Sequence, residues 1–167
     1  LGRPLADALG RHYRVVGLDR AKDDAGFPIF EADFTSDASV ELALTRFHEQ
    51  FGRHIASVIH LVAYFDFTGD ENPLYTTVNV DGTRRLLRSL QSFEVEQFVY
   101  ASTMLVHAPG RPGEHIDENR AIAPAWAYPK SKAAAEAVVE AEHGRIPYVI
   151  LRLAGVSHTD LLERHDP

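Results

Sequence analysis

Ser57-Val58-Ile59-His60-Leu61-Val62 is an apolar run broken inside only by His60, without the alternation expected of a strand that has one wet face. A run of this kind fits a parallel strand covered on both sides. Upstream, Val40, Leu42, Leu44 and Phe47 give Ser39 to Phe51 a helical spacing, and Gly52 follows as a stop signal. Further back, Pro4, Leu5, Ala6 and Leu9 read as a short helix ended by Gly10, and Tyr13 to Leu18 and Phe27 to Ala32 read as strands. Downstream come a helix around Tyr75 to Leu90, a strand at Phe98 to Ala101, a helix at Ala127 to Glu142 and a last strand at Tyr148 to Leu153. Pro109 to Pro124 holds three prolines and two glycines and reads as a surface loop. Strands separated by helices imply right-handed crossovers, hence an α/β protein with a doubly wound parallel sheet.

The chain has 167 residues, about one domain's worth, with a net charge of −7. A field of that sign repels polyphosphate backbones, so nucleic acid is not an expected partner. No stretch approaches the ~18 apolar residues of a membrane span, so no membrane association is expected and a cytoplasmic location is. With 0 Cys there is no disulfide, thiol nucleophile or thiolate metal site, and the 9 His never fall in a His-x-x-x-His pair. No metal is expected.

In a doubly wound sheet functional groups gather at the carboxyl ends of the strands. Asp19 ends a strand, where a carboxylate in a dinucleotide fold accepts from ribose hydroxyls, and Arg20 follows it. Taken alone, Asp19 reads better as a solvated strand end. Asp33-Phe34 is equally open, between a carboxylate reaching the adenine amino group and a turn former. The small and apolar Leu61, Val62 and Ala63 would let a cofactor approach the backbone, though a plain core strand explains them as well. His60 alone reads as a packed core histidine. Asn79 and Gly82 lie inside a predicted helix at a cost in propensity, which suggests that the Asn79 amide serves a neighbouring loop or a ligand. Tyr128-Pro129-Lys130-Ser131-Lys132 is the sharpest signal. Tyr128 and Lys132 share a helical face, and an ammonium near a phenol lowers its pKa from about 10. The alternative is an exposed helix turn, but Ser102-Thr103 ends the preceding strand where a hydroxyl would position substrate.

Together these residues resemble the extended short-chain dehydrogenase/reductase family, the NAD-dependent epimerase/dehydratase type, over nearly the whole chain. Gly2 resembles the third glycine of the family's phosphate loop, Asp19 its ribose-binding acid, and Asp33-Phe34 its adenine-side pair. His60 to Tyr64 is similar to the segment beneath the cofactor, and Asn79-Val80-Asp81-Gly82-Thr83 to a motif that begins with a cofactor-contacting Asn. Thr103 resembles the active-site hydroxyl, with Ser102 beside it. Tyr128 and Lys132 match the Tyr-x-x-x-Lys pair, with Ser131 and Glu136 in familiar positions, and Leu151 to Val156 resembles the strand leading to a substrate lobe. The resemblance implies a Rossmann fold and NAD, with NADP less favoured because Asp19 would face its extra phosphate. It implies hydride transfer on a sugar-like or other hydroxylated small molecule, such as a nucleotide sugar, with Tyr128 as acid/base, Thr103 orienting the substrate oxygen, and Lys132 holding ribose and tuning Tyr128.

The chain departs from the pattern in places. The first strand and first two glycines of the family are not in the sequence, His107 stands where Tyr is common, and Met104-Leu105 follow Thr103 where 4,6-dehydratases carry Asp-Glu. Dehydration is therefore not the expected chemistry. The rival to an enzyme is a non-catalytic, dinucleotide-binding regulatory or scaffolding member of the superfamily, which the retained Tyr128, Lys132 and Thr103 disfavour. We expect residues 1–156 to form a partial NAD-binding domain and 157–167 to lead toward a substrate-binding region of a longer polypeptide. The resemblance implies a homodimer through the helices at Tyr75 to Leu90 and Ala127 to Glu142, with Leu86, Leu87, Leu90, Val138 and Val139 as candidates for the surface and some of them facing the sheet instead.

Overall fold

The computed structural model describes residues 2–21, 26–111 and 113–155. Val156 and the expected 157–167 segment lie outside the described residues. Helix α1 (Gly2–Leu9) leads to strands β1 (Gly17–Asp19) and β2 (Ile29–Glu31), and then to helix α2 (Asp37–Phe51). Two short strands, β3 (His54–Ile55) and β4 (Val58–His60), precede a π-helical stretch at Tyr75–Val80 that runs directly into α3 (Asp81–Leu90). Strands β5 (Glu94–Val95) and β6 (Phe98–Thr103) follow, then a 3-10 turn at Met104–Val106, helix α4 (Ala127–Glu142) and strand β7 (Tyr148–Leu153).

Every named strand pairing is parallel: β1 with β2, β3 with β5, and β6 between β4 and β7. Within each of these three sheets parallel pairing puts the carboxyl ends on one edge, consistent with the doubly wound reading. Leu86, Leu87, Phe98, Tyr100 and Val139 lie in the shared core between sheet and helices.

Local chemistry sets the element ends. The Ser36 side chain accepts from Ser39 N–H at 3.3 Å and caps α2, which ends at Gly52 with φ +85°. Gly82 admits α3 close to Phe34, because a Cβ there would meet Phe34 Cβ and its carbonyl oxygen at 3.1 Å. The strand expected over Tyr13 to Leu18 is observed as the shorter β1, because Tyr13 is exposed and pairing with β2 begins only at Gly17, opposite Ile29. The run from Ser57 pairs only through His60, opposite Tyr100. Beyond that point β6 is paired on β7 alone, and the chain peels away toward Tyr64.

The expected dimer surface needs correction. Leu86, Leu87, Leu90, Val138 and Val139 are all 6% exposed or less, turned into the core of their own chain. Part of the outer surface of α3 and α4 is instead ionic, with Arg84 bonded to both Asp81 and Glu142.

Candidate active site

Asn79 organises the region beyond β4. Its Oδ1 accepts from Tyr64 N–H at 2.6 Å, and its Nδ2 donates to Tyr64 O at 3.0 Å and to Ser131 Oγ at 2.9 Å. Ser131 Oγ in turn donates to Tyr128 O at 2.7 Å. One buried amide thus ties the loop after β4 to the first turn of α4. The propensity cost of Asn79 is explained by protein contacts that occupy both amide hydrogens.

Tyr128 is half-buried among aromatic rings, with Phe65 edge-on at 4.7 Å, Trp126 at 5.7 Å and Tyr75 at 6.4 Å. Burial, and then the neighbouring Tyr75, push its phenol above the usual value. This is opposite to the lowering expected from Lys132. The Lys132 ammonium is directed elsewhere, over the Tyr100 ring at 4.2 Å from the centroid. Lys132 is 2% exposed, and burial brings its pKa down to about 8, with Glu136 acting in the opposite sense. Among the described residues no acceptor takes a hydrogen bond from its ammonium or from the Tyr128 hydroxyl. Thr103 Oγ1 accepts from Leu105 N–H at 3.3 Å, which leaves its own hydrogen uncommitted among the described residues.

Ser102 serves a different group from Thr103. Its hydroxyl donates to Glu136, whose carboxylate is gripped by Arg152 at 2.8 Å through Nη2 and at 3.2 and 3.3 Å through Nε. Arg152 Nη1 also donates to His107 Nε2 at 3.4 Å and to Glu118 O at 3.3 Å, while His107 Nδ1 donates to Arg120 O at 2.9 Å. The residue at the unexplained His107 position therefore anchors the loop between β6 and α4. Sequence reasoning noted Glu136 without its partners, Ser102 on β6 and Arg152 on β7, which lie far from it in the chain.

The cofactor-side residues are more dispersed. Asp19 and Arg20 are exposed at the end of β1, and Gly2 is exposed in the first turn of α1. Asp33 is a turn former: Oδ1 accepts from Thr35 N–H at 2.9 Å and from its hydroxyl at 2.7 Å. Those bonds, backbone first, hold its carboxyl below the usual range. The Phe34 side chain is 6% exposed in the core and faces the His60 ring at 5.7 Å. Leu61 and Val62 are half-buried, and Ala63 is exposed. A cleft of about 460 Å³ between Gln91 and Ile146 lies by the starts of β6 and β7, away from these groups. Among the described residues no three His, Cys, Asp or Glu side chains converge as metal ligands, and no helix is long and apolar enough to cross a membrane.

A parallel α/β sheet with hydroxyl, phenol and ammonium donors on adjoining elements near its carboxyl edge defines a protein of the dinucleotide-binding class. More particularly, the chain belongs to the NAD dependent epimerase/dehydratase family, whose model matches residues 1–157. It is 32% identical over 133 residues, 78% of this chain and 37% of the relative, to the sterol-4-alpha-carboxylate 3-dehydrogenase erg26, decarboxylating, of Schizosaccharomyces pombe. It is 38% identical over 156 residues, 90% of this chain and 42% of the relative, to the dTDP-D-glucose 4,6-dehydratase of Homo sapiens. Among solved structures it is similar to the Thermus thermophilus UDP-glucose 4-epimerase in complex with NAD, with TM-score 0.72 and 29% identity. That match covers 90% of this chain and 50% of the epimerase. The chain thus spans about two fifths of the length of these curated relatives.

Proposed function

We propose that the full-length protein is an NAD-dependent oxidoreductase or epimerase. It transfers a hydride to or from a hydroxylated small molecule, with nucleotide sugars among the substrates to try. The reading is carried by Lys132: a buried side chain whose ammonium takes no acceptor among the described residues fits the vicinal hydroxyls of a ribose. It is supported by the NAD held in the Thermus thermophilus epimerase. NAD supplies the hydride chemistry when bound. Asp19 and Lys132 would hold its ribose hydroxyls, and Gly2 and Arg20 would face its phosphates. Leu61 to Ala63, Asn79, Asp33 Oδ2 and the Phe34 backbone would line its path.

With its pKa pushed up, Tyr128 is protonated near neutral pH and is the acid for carbonyl reduction. The Thr103 hydroxyl hydrogen, uncommitted among the described residues, would orient the same oxygen. In the alcohol-oxidising direction Tyr128 must lose its proton, a loss that burial among the aromatic rings opposes. Met104 and Leu105 neither give nor take protons, so we infer turnover without loss of water. The relatives named as 4,6-dehydratases do not themselves support that restriction. Deuterium transfer between carbon-labelled substrate and cofactor, together with formation of an epimeric or oxidised product, assayed on the full-length chain across hydroxylated substrates, tests the function. A class that transfers label or changes configuration only with NAD present supports it, and neither outcome across the panel contradicts it.

Asp19 sets the expected cofactor preference. A carboxylate facing a 2′-phosphate repels it, so NAD is expected to bind at least tenfold more tightly than NADP despite the neighbouring Arg20. Dissociation constants for the two cofactors decide this, and tighter NADP binding overturns it. We further propose that the polypeptide is longer, with a strand between β1 and β4, which are not paired with each other. A homodimer through the outer faces of α3 and α4 belongs to the same proposal. A dimeric mass by light scattering at micromolar concentration is expected, and a monomer would exclude it.

A further inference from the structure

The hydrogen bonds around His60 lead from the sheet to the turn that carries Tyr128. His60 is 2% exposed on β4, with the rings of Phe34, Tyr100 and Phe98 at 5.7, 5.8 and 6.0 Å. Burial first, and then the Lys132 charge, bring its pKa down to about 3, so the ring is neutral. Thr83 Oγ1 donates to Asn79 O at 2.7 Å and lies 3.0 Å from His60 Nε2. Its single hydrogen is committed to Asn79, so it accepts from His60, whose proton is therefore on Nε2. The carbonyl that Thr83 holds lies where the wide π-helical turn gives way to α3, and the Asn79 side chain projects from that junction. The same side chain grips Tyr64 and, through Ser131, the carbonyl of Tyr128.

We infer that His60 and Thr83 are positioning residues for the Tyr128 phenol. They fix the helical junction, the junction aims Asn79, and Asn79 fixes both the loop after β4 and the first turn of α4. A histidine that merely filled the core would need only its shape. Here Nε2 lies 3.0 Å from Thr83 Oγ1 and is assigned as the donor, in a series of hydrogen bonds that ends on the backbone of Tyr128. Neither residue is expected to touch cofactor or substrate. The inference rests on the proposed role of Tyr128, and it is tested partly by a readout independent of activity.

Thr83→Val in the full-length chain keeps the shape and removes the hydroxyl, while Thr83→Ser keeps the hydroxyl. For Thr83→Val we expect kcat to fall at least tenfold while KM for NAD stays within threefold. Amide exchange at Tyr64 should accelerate at least tenfold, with the β6 amides of Val99 to Ala101 still protected. Thr83→Ser should remain within threefold of the parent in both. If Thr83→Val does not fold, His60→Leu against His60→Gln gives the same comparison, because the Gln amide restores a donor. Parent-like kcat and Tyr64 exchange in the apolar variant, or equal losses in the apolar and polar variants, would overturn the inference. If Tyr128→Phe retains activity, the catalytic reading fails, and Tyr64 exchange still judges the positioning.

Discussion

Tyr128→Phe is expected to lower turnover by about 10²–10⁴-fold, the usual share of a general acid–base group, while the Kd for NADH changes less than about threefold. The substitution removes one hydroxyl that has no hydrogen-bond partner among the described residues. The ring remains packed edge-on against Phe65 at 4.7 Å, so stability should change little. Steady-state kinetics on the substrate found by deuterium transfer or product formation, with a fluorescence titration of NADH, checks both halves. Near-normal kcat in the variant would remove Tyr128 from the chemistry.

Lys132→Met should do the reverse to stability. The folded-state pKa of Lys132 is about 8, below the ordinary 10.5, so below pH 8 the fold holds an ammonium that burial disfavours. Between pH 8 and 10.5 the unfolded chain binds more protons than the folded one, so this penalty fades as pH rises and is gone above 10.5. A depression of this size corresponds to about 3 kcal/mol, and the lost contact over the Tyr100 ring offsets about 0.5–2 kcal/mol of it. Lys132→Met is therefore expected to gain about 1–3 kcal/mol at pH 7 and progressively less above pH 8. NADH binding should weaken at least tenfold. Urea titrations at pH 7 and pH 10 read the stability difference. A variant less stable at pH 7, or a gain that grows with pH, would show that the buried ammonium is not a cost.

The contrast between these variants bears on what the sequence could disclose. Helix α4 and strand β7 were legible to the residue, because Ala and Glu-rich spacing and a β-branched run each have one local reading. The Tyr128 and Lys132 spacing was also legible, but the direction of each side chain was not. Helical spacing puts both on one face, and only the packing of β6 decides that the ammonium faces Tyr100. The π-helical turn at Tyr75–Val80 is indistinguishable from ordinary helix in the sequence, since its apolar spacing differs little over so short a stretch. Two-residue pairs such as β3 with β5 carry too little sequence to show a period. The leucines and valines assigned to a dimer surface belong to the core because the opposite side of these helices carries Arg84 and Glu142. A count of apolar residues could not apportion them between sheet and partner.

The central claim is that a dinucleotide binds at the carboxyl edge of this sheet, held by Lys132 and acted on beside Tyr128. The most direct measurement is an NADH fluorescence titration of the full-length protein, parent against Tyr128→Phe and Lys132→Met. Saturable binding is predicted, retained within about threefold on loss of the phenol and weakened at least tenfold on loss of the ammonium. Parent-like affinity in Lys132→Met, or no saturable binding by the parent protein, would contradict the account.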